Sequence, residues 1–176
     1  AKVTLVTGPT NLEVPFGISE VIKVKSAGQM YEAVTSRFDE MDIVIKSAAV
    51  ADYKPKNISD SKIKKSDSDL VLELDRNKDI AYEIGKIKND KILVGFAAET
   101  NDIIENAKAK IAKKNMDFIV ANNLKESGAG FGTDTNIVSI IEKDGSMKEY
   151  PMMTKEEVAS VILDKIKTLL DNKSSL

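Results

Sequence analysis

Asp52 ends a run of small residues, Ser47-Ala48-Ala49-Val50-Ala51, and is followed by a polar stretch that carries Lys62, Lys64 and Lys65. Small residues let a ligand come close to the backbone, and a carboxylate there can accept hydrogen bonds from a sugar or base, or hold a metal. Three ammonium groups on one loop can surround a polyphosphate as point charges. The pattern points to a phosphorylated ligand at a strand end beside a cationic loop. The same residues also read as an Asp capping a turn before Pro55 and as a solvated lysine run. Lys110 and Lys114 lie four apart, on one face of the helix that the sequence predicts there, where they could meet a phosphate or carboxylate or simply face water. Lys108 and Lys113 point elsewhere and read as solvated.

Composition narrows the chemistry. The 176 residues contain no Cys and no His. Thiol nucleophiles, disulfides, Cys-based zinc sites, Ser-His-Asp triads and imidazole acid–base catalysis are therefore excluded. What remains is Lys, Asp and Glu, Asn, Tyr, backbone amides and a ligand-borne metal, a set suited to phosphoryl or nucleotidyl transfer by positioning and charge. The net charge is −2, with both signs interspersed, so no global basic footprint for nucleic acid exists. No apolar run reaches membrane-spanning length and no signal-peptide pattern opens the chain, so the expected location is cytoplasmic. The length fits a single domain over 1–176.

These residues need a scaffold. Short apolar runs predict strands at Val3–Thr7, Val21–Val24, Asp42–Ile45, Leu70–Leu74, Lys91–Phe96, Asp117–Ala121 and Asn136–Ile141. Capping-box spacing at Ser26–Gln29 and Thr154–Glu157 predicts helix starts. The first opens a stripe of Met30, Ala33, Val34 and Phe38, and the second a closing helix that buries Val158, Val161, Ile162, Ile166 and Leu169. Lys78-Asp79-Ile80 opens a helix with Ile80, Ala81 and Ile84 inward, and residues 102–114 form another. Residues 54–68 read as a surface loop, Gly128, Gly130 and Gly132 mark a second loop, Asp144-Gly145 signals a turn, and residues 171–176 read as frayed. Alternating strands and helices, with continuous apolar strands, predict an α/β three-layer Rossmann-like domain. Its sheet is mostly parallel and ends in a C-terminal strand pair and helix. Ligands of such sheets sit beyond the carboxyl ends of the strands. Here those ends carry Gly8-Pro9-Thr10, Ser47 to Asp52, Phe96 to Thr100, and Asn122-Asn123, expected to converge on one edge. The segment Gly128-Ala129-Gly130-Phe131-Gly132 is not a dinucleotide fingerprint, and no GxxxxGK[ST] loop is present.

Gly8-Pro9-Thr10, Ala48 to Tyr53, Lys62-Ile63-Lys64-Lys65, Gly95 to Thr100, Lys114-Asn115, Ala121-Asn122 and a late Phe131, Asp134 and Asn136 occur in one order. That ordered set resembles phosphopantothenate–cysteine ligase (phosphopantothenoylcysteine synthetase), over nearly the whole chain. The resemblance implies a two-step ligation in coenzyme A biosynthesis. CTP, with Mg2+, activates the carboxylate of 4′-phosphopantothenate as an acyl-cytidylate, and the amine of L-cysteine then displaces CMP. It implies that Asp52 binds the nucleotide, that Ser47 and Ala48 line a base pocket with Phe96, and that Lys62 is the catalytic lysine of a flap. It further implies that Lys78, Asp79, Ile80 and Ala81 offer a helix N-terminus to the nucleotide and that Lys110 and Lys114 contact charged groups. Ala49 and Asn122 join Lys62 on the substrate side, and no protein metal site is implied. A homodimer is implied, as is fusion or association with a flavin-dependent decarboxylase. Residues 135–150 are the expected dimer interface.

In the family, the domain begins with an earlier strand, a Gly-Gly-Thr loop and a Ser-Gly-x-Met-Gly motif, so this chain is expected to be truncated at its N-terminus. It is not expected to be a competent ligase alone. A non-catalytic nucleotide-binding module on the same fold is the alternative. An NAD(P)-dependent oxidoreductase is a third reading, disfavoured by the absent fingerprint.

Overall fold

The computed structural model describes residues 1–64, 69–99, 103–123 and 134–174. In chain order its elements are β1 (Thr4–Thr7), β2 (Glu20–Lys23), α1 (Ala27–Thr35), β3 (Ile43–Lys46), β4 (Tyr53–Pro55), β5 (Leu74–Arg76), α2 (Ile80–Ile87), β6 (Ile92–Glu99) and α3 (Ile103–Lys114). Then follow β7 (Phe118–Asn123), β8 (Thr135–Asn136), β9 (Val138–Glu142), β10 (Met147–Glu149), β11 (Met153–Thr154) and α4 (Lys155–Ser174). The chain divides into a first unit, residues 1–40 and 48–80, and a second, residues 41–47 and 81–176.

The second unit is built on one sheet of order β10-β9-β7-β6-β3. Strands β3, β6 and β7 run parallel, and β9 and β10 close the sheet antiparallel. One face packs Ile92, Val94, Phe118, Val120, Val138 and Ile140 against Val158, Ile162 and Ile166 of α4. Strand alternation turns Leu93, Ile119 and Ile141, each almost fully buried, to the other face. Burial on both faces explains why these strands read as unbroken apolar runs. Each fully buried aliphatic or Phe side chain contributes about 1.5–3 kcal/mol. At the closing helix the capping box is made in both directions. Glu157 N donates to Thr154 Oγ1 at 3.2 Å, and Thr154 N donates to Glu157 Oε2 at 2.8 Å. The Asp144-Gly145 turn also forms, with Gly145 at φ +84° and Ser146 N donating to Asp144 Oδ1 at 2.8 Å.

In the first unit β1 and β2 form a parallel pair, and α1 follows β2. Ser26 caps α1, its Oγ accepting from Gln29 N at 3.2 Å, while Gln29 Oε1 reaches past the cap to Lys25 N at 2.7 Å. Arg37, just past α1, grips Glu20 at the start of β2 through Nη2–Oε1 at 2.7 Å and Nε–Oε2 at 3.1 Å. The hydrogen bond and charge of Arg37 hold the Glu20 carboxyl below its ordinary value. Strands β4 and β5 pair antiparallel as a ribbon, Tyr53 opposite Arg76 and Pro55 opposite Leu74.

Several sequence expectations are corrected. Strand β1 pairs with β2 in its own two-stranded sheet, so three, not four, of the expected strand ends share the edge of the larger sheet. The helical stripe stops at Thr35, and Phe38 is buried from a separate 3-10 turn. The apolar run Leu70–Leu72 is exposed and lies outside any strand; the strand begins at Leu74 and includes Asp75 and Arg76. Its position is set by pairing with β4, which occupies the start of the expected surface loop. Residues 171–174 continue α4 rather than fray. The glycine loop at 128–132, like Lys65 and Thr100, lies outside the described residues. Among the described residues no helix is long and apolar enough to cross a membrane.

A buried ion pair ties the second unit together. Lys88, 3% exposed, donates from Nζ to Asp117 Oδ2 at 2.6 Å and to the Lys91 carbonyl at 3.0 Å. The same Asp117 oxygen accepts from Leu93 N at 2.7 Å, and Lys143 approaches Oδ1 at 3.4 Å. Burial alone would raise the Asp117 pKa, but the Lys88 and Leu93 hydrogen bonds and the two ammonium charges outweigh it and hold it below its ordinary value. Removing the carboxylate strands a buried ammonium, whereas removing Lys88 leaves Asp117 with two partners. Asp117→Ala is therefore expected to cost about 3–5 kcal/mol and Lys88→Met clearly less, as measured by urea denaturation. A depressed carboxylate stabilises the fold above its unfolded-state pKa. That stability is expected to fade as pH drops through the lowered folded-state value, and to be missing from the pH dependence of Asp117→Ala.

Candidate functional site

The first unit contains a cavity of about 550 Å³. Its floor comes from the ends of β1 and β2 and the start of α1, through Thr7, Gly8, Pro9, Val24, Lys25, Ser26 and Met30. Its wall is the small-residue run Ala48 to Ala51 with Tyr53, Lys54 and Pro55 from β4, and Asn77 closes it. This is the carboxyl end of a parallel strand pair, where backbone groups are free to face a ligand. A mostly apolar lining with a few polar groups, at this size, suits a small organic ligand. Lys25 and Lys54 supply positive charge, and the lining passes through residues on either side of Asp52, whose side chain is exposed.

The ribbon rises from this wall. Its ladder is extended at the base by Asn77 N donating to Asp52 O at 2.8 Å, and at the far end by Lys56 N donating to Glu73 O at 2.9 Å. Lys62 and Lys64 lie on the loop beyond, both exposed. Lys78 sits at the foot of the ribbon with its Nζ 4.5 Å from the centre of the Tyr31 ring. Asp79 is half-buried, while Ile80 and Ala81 are core residues, 4% and 0% exposed. Those two have only backbone N–H groups to offer, since their side chains are committed to packing.

The remaining sequence-derived positions belong to the second unit. Ser47 follows β3, Phe96 lies on β6 with 36% exposure, and Asn122 lies near the end of β7. All three sit toward the carboxyl edge of the parallel strands. Asn122 Oδ1 is buried and has no hydrogen-bond partner among the described residues. Lys110 and Lys114 are half-buried on α3, as expected from their shared face. Lys114 closes α3 where the chain enters β7, at the opposite, amino edge of the sheet, so it is not brought together with Phe96 or Asn122.

Sequence reasoning missed Lys25, Met30 and Asn77. Lys25 was within reach, because it stands between a strand end and a helix cap. Asn77 was not, because its partners Asp52 and Ala51 lie 25 and 26 residues away in the chain.

Comparison with known proteins bears on the family and the fold. A family model described as the DNA/pantothenate metabolism flavoprotein C-terminal domain matches residues 1–170. The chain is 53% identical to the coenzyme A biosynthesis bifunctional protein CoaBC of Bacillus subtilis over 169 residues, which is 96% of this chain and 42% of that protein. It is 47% identical to a cysteine/cysteine sulfinic acid decarboxylase from an unknown prokaryotic organism, covering 97% of this chain and 48% of that one. The chain thus spans about half the length of the curated relatives it matches. The crystal structure of the C-terminal domain of a CoaBC protein superposes with a TM-score of 0.80 at 43% identity, covering 97% of this chain and 77% of that one.

Packing around Lys114 is tight. A side chain at Gly85 would run into the Lys114 carbonyl, and Asn115, at φ 50°, donates from Nδ2 to Gly85 O at 3.0 Å. Gly85→Ala is expected to cost about 1–3 kcal/mol in a denaturation series. Gly28→Ala, where the nearest atom is Ser26 Oγ at 3.9 Å, should be neutral or stabilising. With sequence, fold and solved relatives in agreement, the chain belongs to the DNA/pantothenate metabolism flavoprotein C-terminal domain family.

Proposed function

We propose that this chain is the CTP-binding part of a phosphopantothenate–cysteine ligase of coenzyme A biosynthesis. The observation that carries the reading is the cavity of the first unit, walled by Ala48–Ala51 and Tyr53 of the segment that carries the family motif and lined also by Lys54 of the ribbon. In the reaction, the carboxylate oxygen of 4′-phosphopantothenate attacks the α-phosphorus of CTP and pyrophosphate leaves. The amine of L-cysteine then attacks the acyl carbon, loses a proton, and CMP leaves with the shared oxygen.

In this reading Ala48, Ala49 and the Gly8-Pro9 turn let the nucleotide lie close to the backbone, and Asp52 accepts hydrogen bonds from it. Lys25, Lys54 and Lys78 hold the phosphates, and Lys62 reaches the α-phosphate when its loop folds inward. Closure also excludes water, which would hydrolyse the acyl-nucleotide. Mg2+ neutralises charge on the triphosphate and arrives with it. Ser47, Phe96, Asn122, Lys110 and Lys114 enter no step of this proposal. The decarboxylation named for one relative is not carried over either, because that protein is about twice as long.

The test is thermal stabilisation of the 176-residue protein by nucleotides with magnesium at equal concentration. CTP near a hundred times its Kd should add about 2.7 kcal/mol of stability, with ATP and NAD giving clearly less. Equal shifts for all three, or none, would count against the reading. In the full-length protein that carries this chain, Lys62→Gln should lower product formation at least about tenfold, the equivalent of about 1.4 kcal/mol of transition-state stabilisation. CTP affinity should change far less, and unchanged turnover would remove Lys62 from the chemistry.

A further inference from the structure

Asn77 stands where three parts of the first unit meet. Its backbone N–H donates to Asp52 O at 2.8 Å, adding one rung to the ribbon below Arg76 and Tyr53. Its side chain does something the ladder does not. Nδ2 donates to Ala51 O at 2.9 Å, so one residue grips two successive carbonyls at the point where the chain leaves the cavity wall and enters the ribbon. The neighbours of Asn77 are held as well. Arg76 lies 5.9 Å from the Tyr53 ring centre, and Lys78 lies 4.5 Å from that of Tyr31 on α1. A cation over an aromatic face adds a modest further attraction at each contact.

The consequence follows from the ordering of these contacts. The Asp52 carboxylate hangs from a backbone unit whose own carbonyl, and the carbonyl before it, are both bonded to Asn77. Lys62 belongs to the loop at the other end of the same ribbon. A change in ribbon angle is therefore transmitted to Asp52 at the Asn77 rung, and a ligand that fixes Asp52 restrains the ribbon in turn.

We propose that Asn77 is a positioning residue, which sets the Ala51–Asp52 turn against the cavity and couples it to the lysine-bearing ribbon. The proposal rests on the reading of Asp52 as a nucleotide anchor. It assigns to Asn77 a role that acts through Asp52 and needs no direct contact with the nucleotide. An alanine at 77 keeps the backbone rung and removes the second grip; it also trims the cavity lining, a loss that would add to that of Asp52→Asn where a loss acting through Asp52 would not.

Two measurements on the 176-residue protein test it. The first is CTP binding with magnesium, by calorimetry, in a double-mutant cycle. Asn77→Ala should weaken binding roughly three- to tenfold, the range of one lost hydrogen bond. In an Asp52→Asn background the same change should weaken it by less than about twofold, since residues acting through one another are not additive. The second is hydrogen exchange of the ligand-free protein. Asn77→Ala should speed exchange in residues 51–53 and leave β6 and β7 unchanged. Additive losses in the cycle, or unaltered exchange at 51–53, would overturn the proposal. If the unmodified protein binds no CTP, the nucleotide reading fails, and the exchange result alone decides whether Asn77 sets the turn.

Discussion

Parallel strands must be covered on both faces, and this constraint decides where the molecule can be reactive. Strands β6 and β7 bury Ile92, Leu93, Val94, Phe118, Ile119 and Val120 almost completely. These buried stretches offer a ligand no surface. Polar function is pushed to the strand ends, where the ladder stops and backbone groups come free. The cavity beyond β1 and β2 repeats the logic on a smaller scale, using a pair of four-residue strands and one helix start. The buried pair of Lys88 and Asp117 lies at the amino edge of the sheet, where it anchors β7 beside β6.

Without histidine or cysteine, charge placement has to replace proton shuttling. Lys62 is exposed, and an ammonium in water attracts a phosphate oxygen at 4 Å by only about 1 kcal/mol. A lysine in that setting gains strength by moving into a drier place, and a two-stranded ribbon is a suitable carrier. Its ladder keeps its two strands in register. The exposed Ile58, Ile63, Leu70, Val71 and Leu72 along the connecting loop fit a segment that has not been packed into a permanent core.

Much of the second unit was legible in the sequence because burial writes a pattern. Continuous apolar runs marked β3, β6, β7 and β9, and Thr154 with Glu157 marked the start of α4. The ribbon was not legible for the same reason. Its strands contain Lys54, Pro55, Asp75 and Arg76, are exposed, and are held by backbone bonds that leave no compositional trace. The apolar run Leu70–Leu72 misled by offering the pattern of a buried strand where none forms. At the candidate site, Ala48 to Asp52 drew notice as small residues beside a carboxylate, but it was their order among the other motifs of the resemblance that favoured ligand binding over a turn cap. Asn77 did not, because its meaning lies entirely in two carbonyls far away in the chain. The place of Lys114 at the far edge of the sheet likewise depends on helix direction, which the spacing of lysines does not reveal.

The central claim is that the cavity of the first unit is the nucleotide site. It is tested most directly by titrating CTP and magnesium into isotope-labelled protein and following backbone amide resonances. The account predicts that Gly8, Ala48 to Ala51, Asp52 and Asn77 shift first and together, with saturation at one equivalent. Shifts confined to other surfaces, or none at millimolar CTP, would contradict it.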